Sequence, residues 1–208
     1  MTRPLSIVTC ALLAGFILAT PSYLAAQDAA APLVMSAARV SIAGTSNIHE
    51  FTAATTDVKM TQLALADGVA GPNLLSAILN PGSLQAFEIV VKAGTLTSPK
   101  EGLDKNMWKA LKTGQYPDIV FKLARLEGKA GALRAIGTLK IAGVEREVGF
   151  DLKAAANAST ITVIGDVPLL MTDYGIAPPK AMLGMLKTDP KVTVKFEVAL
   201  VAPQTLTR

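Results

Sequence analysis

Residues 137–153, GTLKIAGVEREVGFDLK, constrain the fold more than any other stretch, because two alternating runs meet at Ala142-Gly143 in the pattern of a two-residue hairpin. Antiparallel partners keep a constant index sum. Placing Ile141 opposite Val144 therefore sets Leu139 against Arg146, Gly137 against Val148, Ala135 against Phe150 and Leu133 against Leu152. That face is mostly apolar. The other face then pairs Lys140 with Glu145 and Arg134 with Asp151, and opposite charges directly across an antiparallel pair are favourable. Apolar pattern and charge select the same register, and a slip by one residue would exchange the two faces.

The first 26 residues are set apart from the fold. Arg3 supplies a positive start, Leu5 to Ala19 is an uncharged small or apolar stretch, and Leu24-Ala25-Ala26 offers small residues before a cut at Gln27. This is the pattern of a secretory signal peptide, 1–26, and its apolar run is short of the ~20 residues of a membrane span. No other segment approaches that length, so the expectation is a protein without a transmembrane anchor, periplasmic or secreted. The single cysteine, Cys10, falls inside the signal peptide, which leaves the processed chain no disulfide and no thiolate metal ligand. His49 is the single histidine, so a multi-histidine metal site is excluded, and neither metal nor cofactor is expected. The formal net charge of +4 is dispersed without a basic cluster, which argues against a nucleic-acid partner.

Ala-rich 27–33 reads as a flexible leader, 34–203 as one domain and 204–208 as a tail. Within the domain, Val34 to Ile42 and Ile48 to Met60 read as strands around the turn Gly44-Thr45-Ser46-Asn47. Residues 67–82, rich in glycine and proline, read as an irregular excursion with one short helical turn, and Phe87 to Leu96 resumes strand character. Ser98 as N-cap and Pro99 as first residue then open a helix whose Leu103, Met107, Trp108 and Leu111 form an apolar stripe able to lie across a barrel mouth, and Gly114 ends it. Asp118 to Leu126, the central hairpin, Thr160 to Val167 (closed or kinked by Pro168) and Lys191 to Leu200 complete eight strand candidates. The intervening 169–190 is expected to hold a short helix around Lys180 to Leu186. Eight mostly hairpin-linked strands predict an all-β, antiparallel sandwich or up-and-down barrel with a short inserted helix; strand count alone does not choose between them.

Four segments resemble the YceI-like family of periplasmic proteins. Tyr116 to Lys122 is similar to its "YP-I-F" segment, Gly137 to Val144 to "G-L-I-G-V", Thr172 to Ile176 to "R-DFGI", and Val192 to Val198 occupies the family's last strand. The sequence departs at Gly44 to Phe51, which looks like a sub-group with a "GTS-H" hairpin, and at Met171, where the family often has a polar or basic residue. The resemblance implies an eight-stranded, lipocalin-like barrel that binds polyisoprenoid or other long apolar molecules.

Such a ligand needs a concave apolar wall with few polar anchors. The candidate ligand-binding residues are Phe87, Ile89, Ile119, Phe121, Leu139, Ile141, Val148 and Phe150 on strand faces, with Trp108, Tyr116 and Tyr174 offering an N–H or hydroxyl at a mouth. Met171, Met182 and Met185 could form an adaptable lid or fill gaps. Small inner residues such as Ala135 and Gly137 fit either a cavity or a filled core. Arg146, on the inner face beside the turn, belongs at a rim in water or at a ligand's polar head. A Ser46-His49 nucleophile pair lacks a positioned carboxylate, since Glu50 points to the opposite strand face, and no catalytic residue is assigned. The expected function is therefore an exported, non-enzymatic binding protein that sequesters or carries an isoprenoid, quinone or fatty-acid derivative. The alternative is a structural or interaction module with a filled core; the oligomeric state stays open, a dimer included.

Overall fold

The computed structural model describes residues 33–202 except 72, 130, 158 and 182–184. The expected signal peptide, the leader up to residue 32, Met182 and the tail lie outside the described residues, among which no helix is long and apolar enough to cross a membrane.

The strands are β1 (Val34–Ser46), β2 (Glu50–Thr55), β3 (Val58–Leu65), β4 (Leu84–Lys92), β5 (Asp118–Lys129), β6 (Ala132–Ile141), β7 (Val144–Ala156), β8 (Thr160–Leu170), β9 (Lys180–Ala181) and β10 (Leu186–Val201). They form one curled antiparallel sheet in the order β2-β1-β10-β8-β7-β6-β5-β4-β3, with β9 paired to β10 off this path. A four-residue helix, α1 (Leu74–Ala77), sits between β3 and β4, and α2 (Glu101–Leu111) lies between β4 and β5.

The hairpin β6–β7 has the register expected from its charges, from Leu133 opposite Leu152 to Ile141 opposite Val144. Lys140 and Glu145 are 3.3 Å apart and Arg134 and Asp151 2.8 Å, both pairs exposed. Ala142 and Gly143 have φ of 50° and 83°, the paired positive values of the turn whose twist suits a hairpin. A Cβ on Gly143 would also lie 2.6 Å from the Tyr116 ring.

Nine strands lie on the path rather than eight, because Ile48 to Met60 is two strands. Thr55 Oγ1 accepts from the Asp57 N–H at 3.0 Å and the Val58 N–H donates to Thr56 O at 2.9 Å, so local bonds turn the chain back where a ladder would have continued. This turn joins β2 and β3, the two ends of the path. The outer edge of β2 is held to the segment after β4 by Ala54 N–H to Thr97 O at 2.8 Å and Thr97 N–H to Ala54 O at 3.1 Å.

Three other expectations change. Of the helix expected around Lys180 to Leu186, residues 182–184 lie outside the described residues, and Lys180, Ala181 and Leu186 belong instead to the β9–β10 pairing, with Leu186 opposite Ala181. It is tied from outside by Asn47, whose side chain donates to Met185 O and accepts from the Lys187 N–H, each at 2.8 Å, so a tertiary clamp outweighs a weak local helical signal. Helix α2 starts two residues later than Pro99, since Ser98 Oγ accepts from the Lys100 N–H while the buried Asp104 reaches back to accept from the Ser98 N–H at 2.8 Å. It also ends before Gly114, with Lys112 in the left-handed region. Pro168 does not end β8: beyond Gly165 that strand pairs with β10 alone, so the ring's missing N–H costs no bond to β7.

The interior holds three apolar clusters. One gathers Leu96, Leu111, Ile141, Tyr174 and Ile176 under α2, one gathers Leu75, Ile78, Ile161, Val198 and Leu200 beside α1, and the third contains Leu126, Ala135, Phe150 and Val167.

Two predictions follow from local geometry. Gly143→Ala forces a side chain into the left-handed region against Tyr116, and urea unfolding is expected to show a loss of about 1–3 kcal/mol. Glu88 accepts from Thr61 Oγ1 at 2.6 Å and lies 3.2 Å from Lys122 Nζ, across β3, β4 and β5. The Thr61 hydroxyl first, and then Lys122, outweigh burial and hold its carboxyl below 4.5. A carboxyl lowered by folding stabilises the native state above that value, and the contribution is lost as pH falls through the folded-state value. The urea midpoint should therefore decline more steeply below pH 4.5 in the parent chain than in Glu88→Gln, whose neutral side chain titrates in neither state.

Candidate ligand-binding site

The inward faces of the strands leave two adjoining cavities. The first, about 170 Å³, is lined among the described residues only by Val, Ile, Leu, Phe and Ala. Phe87, Ile89, Ile119, Phe121, Leu139 and Phe150 all border it, as the alternation of β4 to β7 predicts. Phe121, Phe150 and Phe196 meet in sequence, with ring centroids 5.4 Å and 5.6 Å apart in tilted and edge-on contact. Gly137 makes room for this group, because a Cβ there would lie 2.8 Å from the Phe121 ring and 2.3 Å from Lys122 O.

The second cavity, about 150 Å³, lies under α2. Leu103, Met107, Ala110 and Leu111 of that helix face Ile141, Met171, Tyr174 and Ile176, and Asn106 and Thr188 add polar groups. Val40, Val91, Ile119, Leu139 and Val194 border both cavities and form a waist between them.

A groove of about 870 Å³ runs along one side. Its position follows from strand pairing: the β7–β8 ladder spans only Leu152↔Gly165 to Ala156↔Ile161, and residues 146–149 and 167–170 line the groove beyond it. Leu169, Leu170, Tyr174 and Val192 border both groove and second cavity.

Tyr174 is 2% exposed, and its Oη is buried with no hydrogen-bond partner among the described residues. Burial, joined by the charge of Asp173 and partly opposed by that of Arg146, pushes the phenol up to about 12. Arg146 itself stays in water at the rim. Its Nε–H donates to Asp173 O at 3.0 Å and its Nη1 to Glu145 O at 3.2 Å, tying the hairpin to the turn Met171–Tyr174.

Three of the expected residues sit elsewhere. Trp108 borders neither cavity; its Nε1–H donates to Leu96 O at 2.8 Å and fastens α2 to the segment after β4. Tyr116 lies against Gly143 at the hairpin turn. Val148 packs between the clusters and borders the groove. Met171 lines the second cavity, whereas Met185 is 68% exposed. Ser46 Oγ donates to His49 O at 2.8 Å and accepts from the His49 N–H, so the hydroxyl is engaged with backbone, while the exposed ring is 3.5 Å from Lys100 Nζ.

Sequence reasoning left out much of the first wall. Val194, Phe196, Val198 and Leu200 of β10 line it, and their alternation was the available signal. Ile78, Leu79 and Leu84 line it too, but their inward direction is set by Ser83, whose hydroxyl donates to Ile78 O and Asn80 O at 2.6 Å.

No curated protein sequence matches the chain. Among solved structures, it is similar to BcnA of Burkholderia cenocepacia, with TM-score 0.62 and 13% identity over 78% of this chain and 95% of that one. A polyisoprenoid binding domain from Saccharophagus degradans, implicated in plant cell wall breakdown, gives TM-score 0.58 and 13% identity over 83% and 99%. The YceI protein of Campylobacter jejuni gives 0.52 and 15% over 71% and 85%. These likenesses concern the fold. The YceI-like domain matches residues 35–200, nearly the whole described sheet, and the chain belongs to the YceI-like family.

Proposed function

We propose that this protein binds a long apolar molecule along the two adjoining cavities and carries or sequesters it after export. The observation that carries the reading is an interior apolar wall interrupted by open volume. Each buried methylene contributes ~0.8 kcal/mol without needing a directed bond, so such a wall selects for chain length and width. Either cavity alone is smaller than the ~300–1,000 Å³ of usual ligand pockets, and the two together come to its lower bound. A slender chain passing the waist fits this division better than a compact ligand.

An isoprenoid, quinone or fatty-acid derivative has that shape, and the polyisoprenoid-binding relative from Saccharophagus degradans supports the class. Export rests on the N-terminal sequence pattern. The reading includes no covalent step: the Ser46 hydroxyl is turned to backbone and His49 lies outside both cavities. The modest volumes favour one competing reading, a barrel filled by its own side chains.

Native mass spectrometry of the exported protein, paired with an organic extract, tests the proposal. The expected result is a stoichiometric long-chain species; no such species, together with failure to bind any prenyl or acyl probe, sinks it. Ala135 is 2% exposed and borders the first cavity, so Ala135→Leu should place its added carbons in that space. The variant is expected to remain folded by circular dichroism and to bind an acyl probe about tenfold or more weakly.

A further inference from the structure

We propose that Tyr174 Oη is the polar anchor of the second cavity and donates a hydrogen bond to a neutral oxygen acceptor, a ketone, ester or ether oxygen, at one end of the apolar ligand. The inference rests on the cavity reading above and names the chemistry of the ligand's end.

Phenylalanine would supply the same apolar wall at this position, so the hydroxyl is what needs a reason. A hydroxyl taken out of water without an acceptor is costly, and such groups in folded proteins are nearly always paired. Tyr174 is 2% exposed and its side chain borders the second cavity, while its Oη, buried in the wall with no partner among the described residues, comes within reach of a ligand oxygen when the surrounding side chains part. Asn106 and Thr188 share the wall, yet neither bonds to it. A largely apolar pocket with a buried, unpaired donor orients a ligand that carries an acceptor, while a pure hydrocarbon would leave that donor unpaired.

The charges nearby select a neutral acceptor. Among the described residues, no Lys, Arg, Asp or Glu borders the second cavity. Asp173 and Arg146 line the groove instead, and the guanidinium donates to the Asp173 and Glu145 carbonyls. A carboxylate drawn to the Tyr174 hydroxyl would be desolvated near the Asp173 charge, with the Arg146 guanidinium engaged by two carbonyls at the groove. A phenol pushed up to about 12 stays protonated at neutral pH and serves as a donor.

The test uses three probes of equal chain length: undecane, methyl nonyl ketone and undecanoate. Each competes for fluorescent N-phenylnaphthylamine in the parent protein and in Tyr174→Phe. The variant should bind the ketone about fivefold more weakly and undecane unchanged, the loss expected of one net hydrogen bond. Equal loss for ketone and undecane, or no loss for either, overturns the anchor. A larger loss for undecanoate than for the ketone overturns the neutral acceptor. If the parent binds none of the probes and does not bind N-phenylnaphthylamine, the cavity reading falls and the anchor with it. The ligand-free variant should melt no lower than the parent; a lowered midpoint would mean that the hydroxyl is already bonded inside the protein, and would also overturn the anchor.

Discussion

The strand register of β6 and β7 is the constraint on which the interior depends. It turns Leu133, Ala135, Leu139 and Ile141 inward together and leaves Lys140, Glu145, Arg134 and Asp151 in water. Exposed ion pairs of this kind contribute little to stability. Their role is selective: the slipped alternative would bury four charges, each of which would lose its hydration. Because β5 and β8 pair with this hairpin, its orientation passes to the neighbouring strands and decides which side chains meet across the interior.

Those side chains do not fill the space evenly. The Phe121, Phe150 and Phe196 rings occupy the middle at the third cluster, while aliphatic residues hold the waist between the two cavities. Protein interiors are normally packed with few voids larger than water, and two largely apolar voids in one small domain are what the proposed binding function rests on. Helix α2 covers one of them through its Leu103, Met107 and Leu111 stripe, and the indole of Trp108 anchors that cover to Leu96 O.

Much of this was legible where chain-local signals were strong. Alternation with matched charges located β6, β7 and their register, and period two set residues such as Phe87 and Ile89, or Ile119 and Phe121, on shared strand faces, whereas the volume those faces border is visible only in the fold. The failures share a cause. Thr55 and Asp57 form local bonds that divide one expected strand, and Asn47 clamps residues more than a hundred positions away to make β9–β10 out of an expected helix. Trp108 and Tyr116 were assigned to a mouth on residue type, and their actual partners, Leu96 O and Gly143, are tertiary neighbours that no periodicity reveals. The unpartnered hydroxyl of Tyr174 is likewise invisible until burial and hydrogen bonding are both known.

The short ladder between β7 and β8 has a mechanical consequence. These strands are zipped for only five residue pairs, and past Gly165 they diverge. Spreading the sheet along that seam breaks no main-chain bond between them, whereas the same displacement between β8 and β10, zipped over eleven pairs, would break many. The wall of this domain is therefore held by more main-chain bonds on the β10 side of β8 than on the β7 side, where the Arg146 side chain, bonded to Asp173 O, is what bridges the open part of the seam.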